Sequence, residues 1–127
     1  MSRRGKHPGG GPFIEAFIAP DMTMRPVGQT VELLERGGLE VRDVHAMREH
    51  YVWTVRAWQD RFYAARETLV RLVGEEVVRV WELYLAGGLL AFEEGRMGVD
   101  QILAVPAQGT PATVPAVRPA TWSDPRG

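Results

Sequence analysis

The sequence predicts an α/β fold in which a helix, a strand, two long helices and a second strand form part of a sheet. Apolar residues recur at helical spacing from Tyr51 to Leu72, residues 39–44 alternate like a strand, and residues 102–105 are continuously apolar. A strand that is apolar on both faces needs neighbours on both sides, and two strands alone do not make a stable sheet. We therefore expect the closing part of a larger, incomplete sheet.

The composition limits the classes of function. The 127 residues suffice for one small domain, and 15 basic against 16 acidic side chains give a net charge of -1. This balance provides no general attraction for nucleic acid or for a charged membrane surface. The absence of cysteine excludes disulfides, thiolate zinc sites and a cysteine nucleophile. With no membrane-spanning run and no secretory signal, we expect a cytoplasmic protein with at most peripheral contact at the inner membrane face.

The two ends of the chain differ in composition from its middle. Residues 1–12 are rich in glycine and proline, and residues 108–127 repeat proline, alanine and threonine without a helix or strand period. We expect a disordered leader, a folded segment at residues 13–107 and a disordered Pro/Ala-rich tail. The triple glycine at residues 9–11 follows no strand and precedes Pro12, so it is not expected to bind phosphate.

Each element has its own sequence signals. Residues 13–19 form an apolar helical turn that Pro20 stops, and Pro26 suits the start of a helix that Gly37 and Gly38 end. The strand at residues 39–44 follows. Helices are then predicted at residues 48–73 and 75–94, with Gly74 between them, before a last strand at residues 99–105.

The two long helices are expected to pack on each other. One apolar stripe on the first helix consists of Tyr51, Val55, Trp58, Phe62, Ala65, Leu69 and Leu72. Residues 83–92 of the second helix carry no charge and are apolar on all sides. We therefore expect this block to be covered on more than one side. Gly87 and Gly88 at its centre suggest close approach of another backbone or a ligand.

Few polar residues form a pattern that indicates chemistry. His45 and His50 are five residues apart, which does not match a metal pair on one helix face, so we expect surface or capping histidines and no metal site. The glutamate pairs at residues 75–76 and 93–94 lie at helix ends and are expected to be solvated. Tyr51 and the aromatic residues that follow it fit a plain core, and a ligand tunnel is the alternative.

Five sequence blocks in a fixed order carry a resemblance to a known family. They are Phe13-Ile14-x-x-Phe17-Ile18-x-Pro20, Gly38-Leu39-Glu40-Val41, His50-Tyr51-x-x-Thr54-Val55-x-Ala57-Trp58, Val80-Trp81-x-Leu83-Tyr84-Leu85-Ala86-Gly87 and Gly98-Val99-x-Gln101. Together they resemble the C-terminal part of cyclopropane-fatty-acyl-phospholipid synthases and mycolic acid cyclopropane synthases. The similarity extends to actinobacterial methyltransferases of unsaturated fatty acyl chains.

The resemblance implies a Rossmann-like methyltransferase that uses S-adenosylmethionine and a bound bicarbonate to methylenate or cyclopropanate unsaturated acyl chains of phospholipids. Tyr51 matches the family tyrosine that helps to hold the bicarbonate. Four further positions match residues that line the acyl tunnel: Val55, Tyr84, Gly88 and Phe92. Family members often have a bulkier residue where Gly88 stands.

The family's cofactor loop and its other bicarbonate ligands lie upstream of the matched blocks, so we expect no S-adenosylmethionine site in this chain. A truncated product or one piece of a split enzyme would follow, with the missing N-terminal part as a partner. The alternative is a non-catalytic helical module that binds a lipid or a protein through residues 83–92.

Overall fold

The computed structural model describes residues 10–107, and the tail predicted at residues 108–127 and most of the predicted leader lie outside that range. The described residues form five helices and two strands. In chain order these are α1 (Pro12–Phe17), α2 (Val27–Arg36), β1 (Leu39–Ala46), α3 (Arg48–Ala64), α4 (Arg66–Val73), α5 (Glu75–Glu93) and β2 (Asp100–Pro106). The predicted succession of helix, strand, long helices and strand is confirmed.

The strands β1 and β2 form an antiparallel pair, which is the whole sheet within residues 10–107. Leu39 lies opposite Pro106 and Ala46 opposite Asp100, with an irregularity in the register between Val41 and Asp43. Residues 102–105 of β2 are half-buried rather than buried on both faces. The prediction of double-sided burial is not met here, because the neighbours it requires are not among the described residues.

The helix predicted at residues 48–73 is two helices. Ala65 has φ −98° and ψ 7°, which ends α3, and its amide still bonds to the carbonyls of Arg61 and Phe62. The next residue, Arg66, donates to two carboxylates of α5, Glu75 and Glu82. The bend therefore turns α4 toward the start of α5. Gly74, with φ 89°, separates α4 from α5 as the sequence indicated, because this backbone conformation favours glycine.

The core lies between α3 and α5. Val55, Leu85 and Phe92 form its buried cluster. The predicted stripe on α3 is correct for Tyr51, Val55 and Phe62, which belong to or pack on this cluster. It is wrong for Trp58, which is 45% exposed, and for Leu72, which is 73% exposed. Trp58 lies about 60° round the helix axis from Val55, and α5 covers only one side of α3.

The uncharged block at residues 83–92 is divided between two environments. Leu85, Ala91 and Phe92 are buried, whereas Leu83 is 62% exposed and Leu90 is 48% exposed. Apart from their chain neighbours and the backbone of α5 itself, no described residue has a heavy atom within 4 Å of the position that a Cβ would take at Gly87 or Gly88. The expected cover on a second side of α5 is absent from residues 10–107. None of the helices in this range is both long enough and apolar enough to cross a bilayer.

Candidate functional site

Four of the five predicted site residues meet where the start of α3 crosses the end of α5. Val55 and Phe92 are part of the buried cluster, and Tyr51 and Tyr84 pack against it. The rings of Tyr51 and Phe92 are in tilted contact, with 5.5 Å between their centroids. Gly88, the fifth residue, lies one helical turn from both Tyr84 and Phe92 and is half-buried. All five positions therefore border one apolar region.

Backbone bonds fix the first turn of α3, on which Tyr51 stands. The Met47 amide donates to the Val99 carbonyl at 2.8 Å, and the Tyr51 amide donates to the Met47 carbonyl at 3.1 Å. The chain after α5 is fixed in turn, because the amides of Arg96 and Met97 both donate to the Ala91 carbonyl. The start of α3 and the end of α5 are thus held by the same short segment that leads into β2.

Arg48 joins these two helix ends directly. Its Nη1 donates to the Phe92 carbonyl at 2.8 Å, and its Nη2 pairs with Glu49 at 3.1 Å. The last carbonyls of a helix lack partners in their own helix and carry partial negative charge, so a guanidinium at this position stabilises the end of α5. Arg48 lies one turn before Tyr51 and bonds to the backbone of the residue whose ring Tyr51 touches.

Arg48 does not stand out in the sequence pattern. One feature of the sequence does mark it: Arg48 is a basic residue at the first position of a helix, where its charge is unfavourable for that helix's own dipole. Such a placement is favoured when the charge serves another element. The contact itself spans 44 residues, so local patterns did not reveal it.

Arg66 organises the other end of the helix pair. It donates to Glu82 through Nε and to Glu75 through Nη2, each at 2.6 Å. The hydrogen bond from Arg66 lowers the pKa of Glu75 below its ordinary value, and Arg79 adds to the effect. The two carboxylates raise the pKa of Arg66 further. Glu75 is exposed, as predicted for the glutamates at helix ends, and its pairing with Arg66 is an addition that the sequence did not indicate. The network was not evident from the sequence because it depends on the helix break at Ala65, which brings Arg66 to Glu75 and Glu82, 9 and 16 residues further along the chain.

His45 and His50 are closer to each other than expected for surface residues. Their rings make an edge-to-face contact with centroids 5.6 Å apart, and His50 makes a similar contact with Trp53 at 5.5 Å. Both histidines are half-buried, and the Nδ1 atom of His50 is buried without a hydrogen-bond partner in the described structure. Residues 10–107 contain no group of three or more histidine or acidic side chains arranged to hold a metal ion.

An open apolar groove continues from the cluster toward the tip of the helices. It has a volume of about 230 Å³ and is lined by Phe62, Leu69, Val73, Val77, Val78 and Trp81. Phe62 also packs on the core cluster, so the groove and the Tyr51 region share one wall. The cluster and the groove together provide an apolar surface with the phenols of Tyr51 and Tyr84 packed against it, and the six residues that line the groove carry no charge.

A family model described as mycolic acid cyclopropane synthetase matches residues 1–102. The chain belongs to this family. The resemblance carried by the sequence blocks is therefore confirmed, and membership implies S-adenosylmethionine as the methyl donor of the family. The mixed helix and strand content agrees with part of an α/β methyltransferase domain.

Relatives in the mycolic acid cyclopropane synthetase family carry names that specify lipids. The chain is 36% identical over 97 residues to a probable fatty acid methyltransferase of Pseudomonas putida, covering 76% of this chain and 25% of the relative. It is 33% identical to the tuberculostearic acid methyltransferase UfaA1 of Mycobacterium tuberculosis, with coverage of 70% and 21%. For sphingolipid C9-methyltransferase A of Emericella nidulans the identity is 28%, with coverage of 75% and 19%. The chain thus spans about a quarter or less of the length of these relatives.

Proposed function

We propose that this chain supplies the acyl-chain wall and the Tyr51 hydroxyl of a lipid methyltransferase that acts on unsaturated fatty acyl chains of phospholipids. The observation that carries the proposal is the contact of Tyr51 with Phe92 within one apolar cluster that also contains Val55 and Tyr84. A double bond in an acyl chain is uncharged and needs an apolar surface, whereas the reaction generates a cation that must lose a proton. An apolar surface with a hydrogen-bonding group such as the Tyr51 hydroxyl beside it meets both needs.

S-adenosylmethionine and bicarbonate fit this chain to different degrees. The only strand-to-helix junction in the described residues runs directly from Ala46 through Met47 to Arg48, without the glycine-rich loop that a nucleotide requires. The described residues therefore do not fit the cofactor, and we propose that the cofactor is held outside this chain. Bicarbonate fits better, since the phenol of Tyr51 can donate a hydrogen bond to an anion. When bound, bicarbonate supplies the base that accepts the proton.

The chain's own residues would have three tasks. Tyr51 would hold the anion in a fixed place by donating its O–H, and an anion held in an apolar, water-poor pocket is stabilised more strongly than in water. Val55 and Phe92, both buried, would exclude water from the acyl chain. Gly88 would leave space beside Tyr84 for the acyl chain to pass, because no described side chain or other element comes within 4 Å of a Cβ at that position, its chain neighbours apart.

The proposal includes two partners. One is the phospholipid, which the protein would reach by peripheral contact at the inner membrane face, and the other is a cofactor-binding part of a methyltransferase. A transferred methyl group that loses one proton adds one CH₂ unit to the acyl chain. The product is then either a methylene branch or a cyclopropane, which have the same mass and are distinguished by NMR.

The test uses the full chain alone and the full chain joined to the cofactor-binding part of the Pseudomonas putida relative. Each is incubated with S-adenosylmethionine, bicarbonate and vesicles of a phospholipid with cis-monounsaturated chains. The masses of the fatty acids are then measured by mass spectrometry. We expect a gain of one CH₂ unit with the fusion and no saturable cofactor binding by the chain alone. A folded fusion that binds S-adenosylmethionine and leaves the lipid unchanged would contradict the proposal.

A further inference from the structure

The outer face of α5 is apolar and is not covered by any of residues 10–107. Leu83 and Leu90 point away from α3, because each lies about 160° round the helix axis from a buried residue two positions away, Leu85 and Phe92 respectively. Between them lie Ala86 and Gly87, both exposed. Apart from its chain neighbours and the backbone of α5, no atom of residues 10–107 comes within 4 Å of a Cβ placed at Gly87. A small residue between two large exposed ones allows another helix to approach closely at the centre of this face.

The outer face has a symmetric arrangement of residues. Leu83 and Leu90 are equally far from the midpoint between Ala86 and Gly87, in opposite directions along α5. Arg79 and the C-cap residue Glu94 are also equally far from it, about two turns away on each side. All these positions lie within about 100° of one another around the axis, on the exposed side.

This pattern is complementary to itself. If a second α5 lies antiparallel across the first about that midpoint, Leu83 of each copy faces Leu90 of the other, and Arg79 of each faces Glu94 of the other. Two apolar contacts and two opposite-charge contacts form at once, as a two-fold symmetric interface requires. We propose that the outer face of α5 binds a second copy of this chain in this antiparallel arrangement.

The charged residues at the ends are available for such pairing. Arg79 makes a pair of 3.4 Å with Glu75 in the preceding turn, and its side chain remains 71% exposed. Glu94 pairs with Arg96, and both side chains are about half exposed. Pairs of this kind on the surface contribute little, so exchanging them for pairs across an interface costs little. Because the apolar strip is one helix wide, the dimer is expected to be weak and dependent on concentration.

Charge reversal tests the arrangement. Sedimentation equilibrium of the full chain over micromolar to submillimolar concentrations should show a monomer–dimer equilibrium. Arg79→Glu or Glu94→Arg alone places like charges at both ends of the interface and should weaken the dimer about ten-fold. The double variant restores opposite charges and should return the dissociation constant to near that of the original chain. A protein that stays monomeric over the whole range, or a dimer unaffected by single reversals, would overturn the proposal.

A glycine pair provides a matched control. Gly87→Ala adds a methyl group at the centre of the outer face, whereas Gly88→Ala adds one on the side that faces Tyr84 and Phe92. Both replace glycine in a helix at a position where the added Cβ meets no described residue beyond its own helix, so both should raise the melting temperature measured at low concentration. Only Gly87→Ala should weaken the dimer. An equal effect of the two variants on the dissociation constant would show that the outer face is not the interface.

Discussion

The clearest test of the fold compares Leu85→Ala with Trp58→Ala. Leu85 is 8% exposed at the centre of the α3–α5 cluster, and the substitution removes three carbon groups at about 0.8 kcal/mol each. The cavity left behind adds to that cost, so we expect a loss of about 3 kcal/mol in the free energy of unfolding. For a domain of this size the total is about 5–15 kcal/mol, so the loss is large but leaves a folded protein.

Trp58→Ala serves as the contrast. A fully buried tryptophan would lose about 3–5 kcal/mol, but with 45% of Trp58 exposed we expect roughly half of that or less. Urea unfolding followed by far-ultraviolet circular dichroism measures both variants without relying on tryptophan fluorescence. With a slope of about 1.5 kcal/mol per molar urea, Leu85→Ala should lower the midpoint by about 2 M and Trp58→Ala by no more than about 1.5 M. A larger loss for Trp58→Ala would refute the placement of α5 against α3.

Two further predictions concern charged groups. Arg48→Met should reduce the free energy of unfolding by about 1–2 kcal/mol, because it removes a charged hydrogen bond from the end of α5. Arg56→Gln, which breaks only an exposed pair with Glu93, should change it by less than about 0.5 kcal/mol, and equal losses in urea titrations would contradict the role of Arg48. The second prediction concerns Glu75, whose pKa is lowered in the folded protein by the hydrogen bond from Arg66. The stability from this pair is present above the ordinary glutamate pKa and is lost as the pH falls through the lowered value. Melting temperatures measured from pH 6 downward should therefore fall more steeply for the original chain than for Glu75→Gln below about pH 4.5, and parallel curves would contradict the assignment.

Much of the fold could be predicted because its signals are local. Gly74 was recognised as a break, and its backbone does adopt a conformation that favours glycine. The helical spacing of Tyr51, Val55 and Phe62 also predicted correctly which side of α3 is buried. Such signals depend only on residues within one or two turns.

What the sequence did not reveal depends on contacts between distant residues. The break at Ala65 accompanies the reach of Arg66 to Glu82, 16 residues away, and the link from Arg48 to Phe92 spans 44 residues. Helical periodicity also shows which side of a helix is apolar, but not how much of that side a neighbouring helix covers. For this reason Trp58 was predicted to be buried although it is 45% exposed. For the site, the sequence resemblance named residues that the fold does bring together, whereas the supporting Arg48 lay outside the matched blocks.

The central claim is that Tyr51 contributes its hydroxyl to lipid methyl transfer, and Tyr51→Phe tests it most directly. The substitution keeps the ring on Phe92 and removes only the O–H, so the stability should change by about 1 kcal/mol or less. Tyr63→Phe, an exposed tyrosine on the same helix, is the matched control. In the active fusion, we expect Tyr51→Phe to lower kcat by ten-fold or more, on the scale of one positioned donor, with the KM for lipid nearly unchanged and Tyr63→Phe without effect. Full turnover by the Tyr51→Phe enzyme would contradict the claim and indicate that Tyr51 is only a packing residue of the core.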